Sequence, residues 1–386
     1  MENNEIFKQY GNDYTNMTIS LLKAADLKSR IEKKFPMRDV HELCIGIKPN
    51  LVCPTPADYG ATTHPEVVEG IIRYLRDYDF KNIIMLEGSW IGDKTSEAYE
   101  YCGYRALSEK YGVEFVDTQT DRSHKKDCAG MELTICDVVN RVDYLINVPV
   151  LKGHCQTNIT CALKNMKGLI PNSEKRRFHT MGLHEPIAHL SRGIIQDFIV
   201  VDHICGDLDF EEGGNPVKTD CIMAAADPVL LDSYVCRLLG YPVSQVPYLG
   251  LAEKLGSGSS NLSECIIRVL DSEGNEMKSF MGDEDDPYET GVKSAGKLLE
   301  VSYAVDDYDS CSACYGNLAP ALYRLKEEGI LEKLYENLGC KISIGQGHRG
   351  KTGKFGVGNC CQNFDAYIKG CPPREEDIYE ELKKRA

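Results

Sequence analysis

The chain has 386 residues, room for two or three domains and at least one substantial core, and an apolar fraction of 42% with mixed charge fits a soluble globular protein. Asp and Glu outnumber Lys and Arg 59 to 44, and the net charge of −15 argues against nucleic acid or an anionic membrane as partner. No apolar run approaches the ~18 residues of a membrane span and no N-terminal signal region is seen, so a cytoplasmic location is expected.

Residues 1–38 read as a polar helical lead-in, with Ile19, Leu21, Leu22, Ala25 and Leu27 as an imperfect apolar stripe. A short strand over 43–47 leads through Lys48 and Asn50 into a loop. Pro65 opens a helix with Thr63 or His64 as cap, and Val67, Val68, Ile71, Ile72 and Leu75 recur at helical spacing. Strands at 82–86 and 113–116 flank a helix over 95–111. This β-α-β-α-β order implies right-handed crossovers and a parallel sheet.

A buried strand follows at 142–150, and what leaves it is unusual for a surface loop. Lys152, His154, Gln156, Thr157, Asn158 and Thr160 crowd together, and a short helix then carries Lys164, Asn165 and Lys167 before Gly168 and Pro171 stop it. Lys164 and Lys167 share a helix face. A strand end feeding a polar loop into a helix start is where open α/β sheets hold ligands, and the helix start offers free N–H groups to an anion. The alternative is a solvated lysine face; the apolar strand and the scarcity of acids nearby favour a pocket for a small anionic molecule around 147–185. Lys48 and Asn50 leave a strand end on the same side and join it as substrate-binding candidates with Lys164, Asn165 and Lys167. Lys152, His154 and His184 are the catalytic candidates, for charge stabilisation and acid–base work.

The polar segment 172–185, with His179 and His184, reads as a lid. A helix over 187–195 and a strand over 198–201 follow, then GDLDFEEGGNP, an acidic glycine-rich loop read as mobile and solvated rather than as a cation site. After a strand at 221–225, Asp227 is the N-cap of a helix that Gly240 ends, with Asp232 as a buried hydrogen-bond partner inside it. A helix at 249–255 and a strand at 266–270 complete an α/β core over 1–270. Residues 271–291 read as an acidic linker, and 292–386 as a smaller C-terminal region. No internal repeat is evident.

Of the seventeen cysteines, eleven precede residue 300, mostly in apolar runs such as those at Cys136, Cys161 and Cys236, where they act as small hydrophobes. In a reducing compartment they form no disulfide framework, and so many thiols suit an anaerobe. The tail differs. Cys311 and Cys314 form C-x-x-C, Cys360 and Cys361 lie in GVGNCC, and Cys371 precedes two prolines. Glycine-rich loops expose N–H groups to cluster sulfurs, and cysteine before proline recurs in four-iron ligation. One [4Fe-4S] cluster on Cys311, Cys314, Cys360 or Cys361, and Cys371 is the economical assignment; zinc in the same thiolates, or a redox pair, are the alternatives.

These residues resemble the uncharacterised domain-of-unknown-function family 362. The matching stretches are KPNLV, TTHPEVVEGII, NVPVLKGH, ALKNMKGLIP, IVVDHI, AADPVLLDSYVCRLLG and GLAEKLGSG, over 43–258. Members often carry cysteine-ligated iron–sulfur clusters, some in a tail resembling GNC…GCPP. The resemblance therefore implies an iron–sulfur protein with a mostly parallel, doubly wound α/β sheet and a smaller C-terminal iron–sulfur segment. The paired Cys360–Cys361 departs from the family's single cysteine, and its pattern points to Cys360. The family is also distantly similar to lactate racemase-type nickel-pincer enzymes, which would give His154, His179 and His184 a part in proton or hydride transfer.

The favoured expectation is an anaerobic iron–sulfur oxidoreductase or electron-transfer protein acting on a small anion, served by a ferredoxin-type partner and capable of homo-oligomerisation. A non-redox isomerase or lyase with a structural cluster is the alternative, and a carrier protein the third.

Overall fold

The computed structural model describes residues 4–289, 294 and 296–386. Nine strands form one sheet in the spatial order Glu276–Met281, Ile266–Leu270, Glu5–Tyr10, Pro216–Ala225, Phe198–Asp207, Tyr144–Val148, Ile45–Pro49, Ile83–Glu87 and Glu114–Asp117. Five neighbouring pairs are parallel and three antiparallel. The central parallel strands Ile45–Pro49, Ile83–Glu87 and Tyr144–Val148 are buried along their whole length because both faces are covered. Phe198 and Val200 pack on one face with the helices Tyr14–Ala24 and Pro65–Asp77. Ile199 and Val201 pack on the other, with His184–Gly193 and Pro228–Leu239. A large, mostly parallel α/β sheet wound on both sides is therefore present.

The ends of the core differ from expectation. Residues 5–10 of the lead-in form a strand inside the sheet, antiparallel to Pro216–Ala225 and parallel to Ile266–Leu270. Its polar look comes from Lys8, which is fully buried and neutralised by Asp286 at 2.5 Å and Glu289 at 2.9 Å. The expected acidic linker over 271–291 supplies those carboxylates and also the edge strand Glu276–Met281; its last two positions, 290 and 291, lie outside the described residues. The helix over 95–111 is two, Thr95–Tyr101 and Tyr104–Tyr111, parted at Gly103 with φ 82°. The acidic loop is folded rather than solvated: buried Asp207 accepts the N–H groups of Asp209, Phe210 and Asn215, each at 2.9 Å. Asp227 caps its helix through Val229 and Leu230, as expected.

The C-terminal unit has its own four-stranded parallel sheet, ordered Val305–Asp307, Ile342–Ile344, Phe355–Val357 and Ala366–Ile368. Leu318, Leu322, Leu325 and Leu334 build its core, and Cys155 and Phe210 of the main body pack into the same cluster. The last three strands repeat one device that the sequence reading missed. Each runs into a positive-φ glycine (Gly345, Gly358 and Gly370), which turns the following residues toward one end of the sheet.

Candidate functional site

A cleft lies at the carboxyl ends of the parallel strands, where open α/β sheets hold ligands. Lys48 and Asn50 come from the end of Ile45–Pro49, and Glu87 from the end of Ile83–Glu87. The helix Ala162–Asn165 and the turn Met166–Leu169 contribute Lys164, Asn165 and Lys167. That helix has only four residues; Asp232 fixes its start by accepting from Ala162 and Leu163 at 2.7 and 3.0 Å. Lys175 and His179 come from Asn172–Thr180, so the segment expected as a lid is a wall, with Phe178 anchored in the core. Glu211 closes another side, and Cys311, Ser312 and Ala313 of the C-terminal unit complete the lining.

Buried ion pairs hold the floor. Lys48 Nζ lies 2.5 Å from Glu87 and 3.1 Å from Asn165 Oδ1. Glu87 also accepts from the N–H groups of Leu51 and Gly88. Gly168 presses on this pair so closely that a Cβ there would run into the carboxylate and the ammonium. Lys164 Nζ lies 2.6 Å from Glu211 Oε1. Burial pulls Lys48 below the usual lysine range, against the opposing pull of Glu87. Burial, with Lys164 beside it, pushes Lys167 down to about 7, and burial pushes Lys175 down to about 8 although Glu87 opposes it.

Three residues expected to be catalytic do not line the cleft. Lys152 is fully buried behind it, donating to the carbonyls of Ala61 and Glu211 at 2.7 and 2.9 Å. His154 Nδ1 accepts from the N–H groups of Gln156 and Thr157, which leaves the proton on Nε2, 2.8 Å from Glu211. Burial pushes His154 down to about 4, which keeps the ring neutral beside Glu211. His184 stacks on Tyr248 at the start of its helix. The five proposed substrate-binding residues do converge on the cleft. Glu87, Thr160, Lys175 and Glu211 went unassigned; the clue for Glu87 was an acid closing an apolar strand, IIMLE.

The tail thiols converge as well. Cys311, Cys314, Cys360 and Cys371 line a second cavity with Arg176, Gln346 and Arg349. Register separates the adjacent pair: Val357 faces Ile368, and Cys360 and Cys371 each follow three residues later, at matching positions. Cys361 instead points inward, fully buried, its thiol 3.4 Å from the Ser343 carbonyl. Burial pushes the Cys311 thiol up to about 11 and Cys314 higher still, so any metal must displace protons to bind. Among the described residues no three His, Cys, Asp or Glu side chains close on one point as they would for a single ion; the four thiols stand around a space. Cys311 borders both cavities.

The lactate racemase apoprotein from Thermoanaerobacterium thermosaccharolyticum aligns over 97% of this chain and 86% of its own, with a TM-score of 0.32 and 10% identity, too distant to carry an argument. A thylakoid-associated protein of Synechocystis sp. is 24% identical over 221 residues, covering 54% of this chain and 67% of that protein. Among the described residues no helix is long and apolar enough to cross a membrane. The profile of the family described as Domain of unknown function (DUF362) matches residues 45–237, half of the 386-residue chain and most of the cleft, and the chain belongs to that family.

Proposed function

We propose that the protein is an iron–sulfur redox protein in which Cys311, Cys314, Cys360 and Cys371 hold one [4Fe-4S] cluster next to a cleft for a small anionic substrate. The observation that carries the reading is Cys311, which borders both the four-thiol cavity and the lysine-lined cleft. The donor set suits such a cluster: four thiols surround one space, no carboxylate or imidazole lines it among the described residues, and Arg176 and Arg349 are placed to offset negative charge. When bound, the cluster would supply single electrons. The chain's own residues bind and orient the substrate, with Lys167 and Lys175 offsetting its charge and His179 as the imidazole within reach. Cys371 is exposed, which gives a ferredoxin-type electron partner a route of approach.

The non-redox isomerase or lyase reading keeps one support, His179 in the cleft; it predicts turnover without electron uptake. The test is anaerobic purification with iron, sulfide and zinc analysis, and EPR before and after dithionite. The expected result is brown protein with about four iron and four sulfide per chain and a signal that appears on reduction. Colourless protein with stoichiometric zinc would sink the reading.

A further inference from the structure

The charges in the cleft do not cancel. Lys48 is neutralised by Glu87 and Lys164 by Glu211. Among the described residues Lys175 donates only to the neutral carbonyls of Gly88 and Ser89, at 2.9 and 2.7 Å. Lys167 Nζ has no hydrogen-bond or ion-pair partner among the described residues. Two lysines thus stand at the cleft without a carboxylate, where the lack of a counter-charge is costly.

Two further donors are also idle. The Thr160 hydroxyl, in a residue 1% exposed, has no partner among the described residues. His179 is 6% exposed; its Nε2 accepts the Ser312 N–H at 3.4 Å, which puts the ring proton on Nδ1, and Nδ1 is unpartnered. Lys167, Thr160 and His179 all line the cleft, so an ammonium, a hydroxyl and an imidazole N–H stand at one space without an acceptor among the described residues.

We propose that this cleft binds a small dianion, a dicarboxylate or a phosphoryl compound, whose oxygens accept from Lys167, Thr160 and His179 while Lys175 balances the second charge. A monoanion would leave one lysine uncompensated. A neutral ligand would leave both, and a cation would add to the excess. The inference rests on the reading of this cleft as the substrate site and makes no use of the cluster.

Calorimetric titration of the anaerobically prepared full-length protein tests it, with inorganic phosphate, succinate and acetate as probes. Phosphate, succinate or both should bind at least about tenfold more tightly than acetate. Lys167→Met and Thr160→Val should each weaken that binding by about tenfold with unchanged iron content and an unchanged circular dichroism spectrum. Phosphate alone binding assigns a phosphoryl ligand; succinate alone assigns a dicarboxylate. Acetate binding as tightly as the dianions, neither dianion binding by about 10 mM, or dianion binding indifferent to both substitutions would each overturn the proposal. Iron and sulfide measured on the same sample keep the two ideas apart. Dianion binding by protein without iron would sustain this inference and remove the redox reading, and a full cluster without dianion binding would do the reverse.

Discussion

Cys360 and Cys361 are chemically identical and adjacent, and only the register of the Phe355–Val357 and Ala366–Ile368 strands tells them apart. Cys360→Ser should therefore strip most of the iron from anaerobically prepared protein. Cys361→Ser should keep it and lower unfolding stability by about 1 kcal/mol, because a more polar hydroxyl replaces a fully buried thiol. Equal iron loss from both would mean that the register argument fails. The lysines teach the same lesson. Lys152, Lys164 and Lys167 look alike as letters in one polar stretch, but their partners lie elsewhere in the chain. Lys152 meets the Ala61 carbonyl, Lys164 meets Glu211, and Lys167 meets no partner among the described residues. Spacing located the stretch; it had no means of ranking the members, because a side chain's role depends on which distant acceptor reaches it.

Helices and parallel strands with both faces buried were readable, since apolar periodicity and continuous β-branched runs are local properties. Pro65–Asp77 and Pro228–Leu239 announced their starts through proline, and Asp227 and Gly240 marked the ends of the second. Glu5–Tyr10 was not readable, because its burial depends on charges 278 and 281 residues away. The consequence is measurable. Lys8 is fully buried against Asp286 and Glu289, with Tyr10 and Tyr234 bonded to the same carboxylates. Lys8→Met leaves two carboxylates buried without their cation and should cost about 3–5 kcal/mol, read as a lower urea midpoint at unchanged m-value. Adding Asp286→Asn to Lys8→Met should recover part of that loss, since the pair is coupled. A cost below about 1 kcal/mol for Lys8→Met would show that the strand does not depend on the network.

At the scale of the molecule, what sequence could not reveal was how the core and the tail meet, because no local pattern encodes a contact between a hairpin near residue 156 and a loop near 311. The hinge of that contact is Gln156, on the turn between Lys152–His154 and Asn158–Thr160. Its Nε2 donates to the Ser310 carbonyl and hydroxyl at 3.1 and 3.0 Å, and its Oε1 accepts from the Ser312 hydroxyl at 3.0 Å. Those two serines flank Cys311, the thiol that borders both cavities. Gln346 adds a second tie, donating to the Arg176 carbonyl at 3.1 Å. Gln156→Leu removes the first tie and leaves both units' cores intact, so circular dichroism should not change. The loop carrying Cys311 and Cys314 should then sample open conformations more often, by the roughly 1–1.5 kcal/mol that such hydrogen bonds contribute. Transfer of iron to an added chelator, followed by absorbance under anaerobic conditions, should accelerate by about fivefold to tenfold in the variant. Dianion affinity should fall in parallel, because Ser312 holds His179 by its N–H and shares the cleft wall. Iron release at the unmodified rate with weakened dianion binding would show that the tie serves the cleft alone; both unchanged would mean that the two units hold their relative positions without it.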